Sequence, residues 1–164
     1  GTWNLLLHRH GEMSITATVD PDGKGNPIET NAGALLEKGR WTHIAMQWRK
    51  EGSSFVLELF VDGRKQRFGR SDAGMPLREE GFVPATPGGE LIFGGTRDGG
   101  QSLDAALGGL RFSKTARYDS DFDPRTVRAL DTDADTLALF LFDGNTEAVE
   151  SGIRAEILAP TSRR

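Results

Sequence analysis

The stretch Trp41-Thr42-His43-Ile44-Ala45-Met46-Gln47-Trp48, followed by Phe55-Val56-Leu57-Glu58-Leu59-Phe60-Val61-Asp62-Gly63, decides the fold. In the first segment Ile44, Met46 and Trp48 alternate with Trp41, His43, Ala45 and Gln47. In the second, Phe55, Leu57, Leu59 and Val61 alternate with Val56, Glu58 and Phe60. A period of two belongs to a strand, whose successive side chains point to opposite faces. Asp62-Gly63 is the strongest short hairpin signal, because a type I′ turn needs positive φ at both central residues. The pattern predicts two strands and a turn, with Arg64 to Phe68 as the return strand.

The same reading extends in both directions. Trp3 to His10 and Met13 to Val19 are predicted strands around a turn at His10-Gly11-Glu12, and Asp20 to Asn26 is a loop of turn formers. Leu35-Leu36 leads into a turn at Glu37-Lys38-Gly39-Arg40. Gly69 to Gly89 has no clean period, contains Pro76, Pro84 and Pro87, and reads as a long surface loop. Short strands are predicted at Glu90 to Gly94, Leu107 to Ser113 and Ile153 to Leu158. Leu137 to Phe142 is apolar on both faces and suits a central strand covered on both sides. Asp123-Pro124 reads as the start of a helical turn reaching Leu130. With no internal repeat and no helix-length amphipathic stretch, the many short strands predict an all-β sandwich or barrel.

Composition agrees and sets exclusions. At 164 residues the chain fits one domain, and 21 glycines suit tight turns. A formal charge of −4 gives no pull toward nucleic acid or anionic lipid. No apolar run reaches the ~18 residues of a membrane span, so no membrane insertion is expected, and no signal peptide is visible. The chain opens at Gly1 already in strand-like sequence, which suggests a piece of something longer. Cysteine is absent, which rules out disulfides, thiolate metal sites and a Cys nucleophile.

Trp41-Thr42-His43-Ile44-Ala45 and the later Phe60-Val61-Asp62-Gly63 resemble the W-x-H-[IV]-A … LYVDG signature of the concanavalin A-like lectin/glucanase superfamily, in particular its laminin-G-like jelly rolls. Leu91-Ile92-Phe93-Gly94-Gly95 is similar to the family's L-x-I-G-G strand, and Leu107 to Phe112 to its I-D-E-V-R-I strand. Ala116-Arg117-Tyr118, Phe122-Asp123-Pro124 and Asp135 to Asp143 resemble the endings of such modules in large bacterial exported proteins. The resemblance covers roughly residues 3–152. It implies an antiparallel jelly-roll sandwich over residues 1–164, with 137–158 supplying closing strands or beginning a following module. Two departures stand out. Gly108 and Gly109 replace an acidic pair, and the family's S-G-N-G turn is reduced to Ser151-Gly152.

Catalytic constellations are missing. Glucanases of the superfamily carry E-x-D-x-E, which sets carboxylates on one strand face for acid and nucleophile work; here Glu58 stands alone in its strand, and Glu79-Glu80 fall in the proline-containing stretch. No Gly-x-Ser-x-Gly elbow exists. Calcium is the one cofactor the resemblance raises, since laminin-G-like folds often bind it at loop ends through Asp and backbone oxygens. The candidates are Asp20 and Asp22 in an EF-hand-like opening, and Asp131, Asp133 and Asp135 in D-x-D-x-D spacing. Solvated turns in which Asp caps backbone amides are the preferred reading of both, and of Asp119-x-Asp121-x-Asp123. His8-x-His10 has the spacing of a metal pair, with His43 as a third ligand only if the strands neighbour one another.

Sugars stack their apolar faces on exposed rings. Trp41 and Trp48 are expected in the core, which leaves Trp3 and Tyr118 as candidates for carbohydrate or partner contact. Arg97 and Asp98 join them from a rim loop. The expected function is a non-catalytic recognition module binding carbohydrate or a protein surface, secreted or at the cell surface. A structural or assembly domain is the alternative, and a glycoside hydrolase with an atypical site comes third. Oligomeric state is left open.

Overall fold

The structure is a computed structural model. It describes residues 2–10, 12–20, 28–66, 68–70, 75–76, 78–80, 92–94, 105–126, 130–143 and 148. Every element among the described residues is a strand, so the fold is all-β. The chain forms two compact units: Gly1–Gly89 with Ala116–Val127, and Glu90–Thr115 with Arg128–Arg164.

In the first unit, β1 (Thr2–His10) and β2 (Glu12–Asp20) pair antiparallel with His10 opposite Glu12. β3 (Ile28–Leu36) pairs with β2. The sequence reading found only the last two residues of β3. The reason is a register break: Ser14 faces Leu35 but Ile15 faces Ala32, so Gly33 and Ala34 bulge out and interrupt the alternation.

β4 (Ile44–Glu51) and β5 (Ser54–Val61) form the expected antiparallel pair, with Gln47 opposite Glu58. Asp62 and Gly63 have φ of 48° and 74°, which confirms the type I′ turn. The return strand is shorter than expected. β6 (Arg64–Lys65) pairs with β5, whereas Phe68 opens β7 (Phe68–Arg70), which joins β3 in the other sheet.

The stretch expected as a loop from Gly69 contains most of β7, then β8 (Met75–Pro76) and β9 (Arg78–Glu80). Strands of two or three residues are too short to display a period. Pro76 lies in β8, the last described strand of its sheet, the edge position where a missing N–H is tolerated. The two sheets run β1-β2-β3-β7-β8 and β4-β5-β6, with β9 also pairing along β5. Flanked on both sides, β5 is the core of this unit: Val56 to Val61 are all buried.

In the second unit, β10 (Leu110–Ser113) pairs antiparallel with β11 (Thr136–Phe140). Ala138, Phe140 and Ala148 form its buried centre, with Leu110, Phe112 and Phe142 packed against them. Gly109 is where a side chain would not fit, since a Cβ there would lie 2.9 Å from Leu130 methyls and 3.2 Å from the Phe140 carbonyl oxygen. Leu137 to Phe142 departs from the doubly covered strand expected. Leu139 is buried, but Leu137, which the register skips as a bulge, and Leu141, just past the strand, are 46% and 39% exposed. Phe142 has a φ of 50° just past the strand end. Ile92 to Gly94 are not in a strand, and Pro124 to Thr126 form a single turn. Glu90-Leu91, the rest of the helical stretch at 127–129, and Ile153 to Leu158 lie outside the described residues.

Candidate functional site

The face of β4 and β5 that carries His43, Gln47, Arg49, Glu58 and Phe60 is covered by residues 116–124 of the same unit. Alternation places these side chains on one face, and the register sets Gln47 directly across from Glu58. The Gln47 amide then pairs with the covering segment as a backbone would. Its Oε1 accepts from Arg117 N at 2.9 Å and Tyr118 N at 3.1 Å, and its Nε2 donates to Tyr118 O at 2.7 Å and to Glu58 Oε2 at 2.5 Å. Arg49 donates to Tyr118 O at 2.6 Å and Glu58 Oε2 at 3.1 Å, and its Nη1 lies 2.7 Å from Asp119 Oδ1. Further along, Lys65 N donates to Asp121 Oδ1 at 2.8 Å and Phe122 N to Gly63 O at 2.9 Å.

Aromatic packing closes the contact. Tyr118 stacks on Phe122 with ring centres 3.8 Å apart. Both rings meet His43 and Phe60 at centre distances of 5.6 to 6.2 Å, within the range of favourable aromatic pairs. His43 is half-buried and its Nδ1 is buried with no hydrogen-bond partner. Loss of solvent lowers its pKa, opposed by the Asp62 carboxylate, so the ring is held toward its neutral form.

Glu58 is 6% exposed and is bonded by Lys65 Nζ as well as by Gln47 and Arg49. Burial alone would raise its pKa. The hydrogen bonds from Lys65 and Gln47 and the charges of Lys65 and Arg49 outweigh that and lower it. Arg49 is correspondingly raised against its own desolvation, chiefly by Glu58. A general acid needs the opposite shift, and a nucleophile needs access. This carboxylate has neither, and its chemistry is that of a clamp.

The sequence candidates are distributed as follows. Tyr118 is half-buried, with one ring face on Phe122. Trp3 lies in β1 opposite Val19, and Asp20 ends β2 opposite Thr2; their side chains lie outside the described residues, as do Asp22, Arg97 and Asp98 altogether. β1 and β4 belong to different sheets, so His8 and His10 do not gain His43 from a neighbouring strand.

Asp131, Asp133 and Asp135 behave as a turn. Asp133 Oδ1 accepts from Asp135 N and Thr136 Oγ1, both at 3.0 Å, and Asp133 Oδ2 pairs with Arg111 at 2.9 Å. Among the described residues no three His, Cys, Asp or Glu side chains converge as a metal site requires. Asp119, Asp121 and Asp123 are separately engaged by Arg49, Lys65 N and Arg125.

Trp41 departs from expectation: it is 70% exposed rather than core. It belongs to the connection from the Glu37–Arg40 turn into β4, which begins three residues later at Ile44. Gln47 and Arg49 were the residues sequence reasoning missed. The signal was Gly52-Ser53, which, read as a two-residue turn, aligns Gln47 with Glu58.

The first unit is thus all-β, with one chain segment held across a sheet face. A laminin-G family model described as the concanavalin A-like lectin/glucanases superfamily matches residues 1–121. The chain belongs to this superfamily. The match supports the resemblance from the first strand into the segment that covers β4 and β5. No curated protein and no solved structure matches the chain.

Proposed function

We propose that this chain is a non-catalytic recognition module of jelly-roll sandwich type, binding carbohydrate or a protein surface outside the cell or at its surface. The buried carboxylate Glu58 carries the non-catalytic part. It is the one buried acid among the described residues, and three donors hold it ionised beneath the 116–124 segment. Membership of a superfamily that includes lectins supports recognition as the task. The 137–158 region is read as closing strands of the jelly roll or the start of a following module.

A glycan array together with calorimetry, run with calcium and with chelator, tests this reading. Glycan binding without turnover of the bound sugar is expected. Release of reducing ends would overturn the non-catalytic reading, and absence of binding under either condition would sink the carbohydrate arm. A melting temperature that falls with chelator would establish calcium as a structural cofactor.

One observation favours the assembly reading as second choice. Ile92, Phe93, Leu107, Leu130, Leu137 and Leu141 of the second unit are all exposed, and exposed apolar groups of this kind mark interaction surfaces when contiguous. Sedimentation across a concentration series separates the two: a stable oligomer lost in Leu137→Lys would favour assembly.

A further inference from the structure

His43 stands where the 116–124 segment meets the sheet. Tyr118 and Phe122 of that segment meet its ring edge-on, at 6.2 and 5.6 Å between centres, and Phe60 of β5 packs on the same two rings. The buried Nδ1 has no hydrogen-bond partner. A neutral imidazole carries one N–H and one bare nitrogen, whereas an imidazolium carries an N–H on both. Protonation in place therefore buries a cationic donor without an acceptor, which costs more than an unpaired neutral group. The charges on the surrounding elements are already committed. Asp62 attracts a positive ring, but its Oδ1 accepts from His43 N and its Oδ2 from Arg40. Glu58 of β5 is held by Lys65 and Arg49, and Arg49 also by Asp119. Asp121 accepts from Lys65 N, and Asp123 pairs with Arg125. Arg64 on β6 and Arg117 on the segment add positive charge. Desolvation outweighs Asp62, so the closed face holds His43 below its ordinary 6.5.

We propose that residues 116–124 form a pH-sensitive latch, closed over β4 and β5 while His43 is neutral and released when His43 takes up a proton. The segment is built for release. It belongs to no strand, and it is bonded to the Gln47 and Arg49 side chains and to the backbone of Gly63 and Lys65. It can therefore lift without breaking the β4–β5 ladder. Once it lifts, Nδ1 meets water and the ring regains its ordinary proton affinity. The sign follows by linkage. A histidine whose pKa is lower in the closed state supports that state fully above about 6.5, and progressively less as pH falls toward the closed-state value. Opening takes up one proton, so the open fraction grows at most ~tenfold per pH unit. Glu58 acts in a separate window, because its contribution is kept above 4.5. Release uncovers a face on which Gln47 pairs with the main chain of two successive residues.

The test is amide exchange by NMR on the full chain and on His43→Phe, a ring of similar size that cannot charge, from about pH 7.5 to about pH 5. Rates are expressed as protection against the free peptide, so that the intrinsic pH dependence cancels. In wild type, protection at the Arg117, Tyr118 and Phe122 amides should fall below about pH 6.5, by up to ~tenfold per unit, while β1 and β2 keep theirs. In His43→Phe it should stay level. Level protection in wild type, an equal fall in the variant, or an equal fall across β1 and β2 would each overturn the latch. The imidazole shifts of wild-type His43, followed over the same range, decide the matter even if the variant does not fold. The loss of protection should track that titration, and a loss that ran independently of it would overturn the proposal.

Discussion

Gly63→Ala should unfold far more easily than Gly39→Ala, although the two glycines look alike in backbone terms. Their φ values are 74° and 79°, so the intrinsic strain of an alanine is the same at both, about 1 kcal/mol. Their surroundings differ. A Cβ at Gly39 would meet nothing within 4 Å, whereas one at Gly63 would lie 1.9 Å from the Phe122 carbonyl oxygen and 3.0 Å from Pro124 Cδ. A relaxed carbon–oxygen contact needs about 3.3 Å, so the backbone at Phe122 must retreat by well over an ångström. That displacement breaks the Phe122 N to Gly63 O hydrogen bond of 2.9 Å, worth about 1 kcal/mol. It also disturbs the Tyr118–Phe122–His43–Phe60 cluster, worth about another 1 kcal/mol. The sum is about 3 kcal/mol for Gly63→Ala against about 1 kcal/mol for Gly39→Ala. Urea unfolding measures both as shifts of midpoint at constant slope, and amide exchange should accelerate across 116–126 in the first variant alone. Equal midpoints for the two variants would refute the close approach of that segment to the turn.

Three further outcomes follow from the same unit. Gln47→Leu removes the partner of the Arg117 and Tyr118 amides, each costing about 1 kcal/mol or more if left unpaired; faster exchange at those two amides is the readout, and unchanged exchange would remove Gln47 as a clamp. Glu58→Gln should destabilise by about 2 kcal/mol near neutral pH, less than a fully buried pair because Arg49 and Lys65 are partly exposed. Since Glu58 titrates lower folded than unfolded, its contribution is present above its ordinary value of 4.5 and is lost as pH falls through the folded value. The gap between wild type and variant should therefore close on acidification, and a gap that widened would reverse the assigned sign. Asp123, chelated by Arg125, should titrate at about 2 by carboxyl NMR and return toward 3.8 in Arg125→Ala; its stabilising effect is present above the ordinary value and fades as pH falls toward 2. An ordinary titration in wild type would show that the pair does not persist in solution.

What the sequence made legible follows the physics of each element. β4 and β5 were readable from the period of two in their residues, although β5 proves buried on both faces from Val56 to Val61, and the Asp62-Gly63 turn because a type I′ turn restricts its residues. β8 and β9 were not, since two or three residues carry no period, and β3 was hidden by the bulge at Gly33-Ala34. Local sequence also could not show that residues 116–124 return to lie across β4 and β5, about 70 positions from their partners. The candidate site suffered most from this. Tyr118 read as a free ring because nothing near it in sequence announces Phe122, His43 and Phe60 as its neighbours.

The long-range contact changes what the family signature means. His43 packs on Tyr118 and Phe122, Asp62 accepts from His43 N and Arg40, and Gly63 leaves room for the Phe122 carbonyl. His43 and Gly63 are accounted for by holding one segment against one sheet, and Asp62 by tying the turn to His43 and Arg40, so none needs a ligand to explain it. Trp41 does not share that explanation. Among the described residues it meets no aromatic partner and is 70% exposed, so the fold gains little from its size. Within the Trp41–Gly63 stretch, His43, Asp62 and Gly63 therefore serve the packing of one segment and one turn, a role to which the exposed Trp41 adds little.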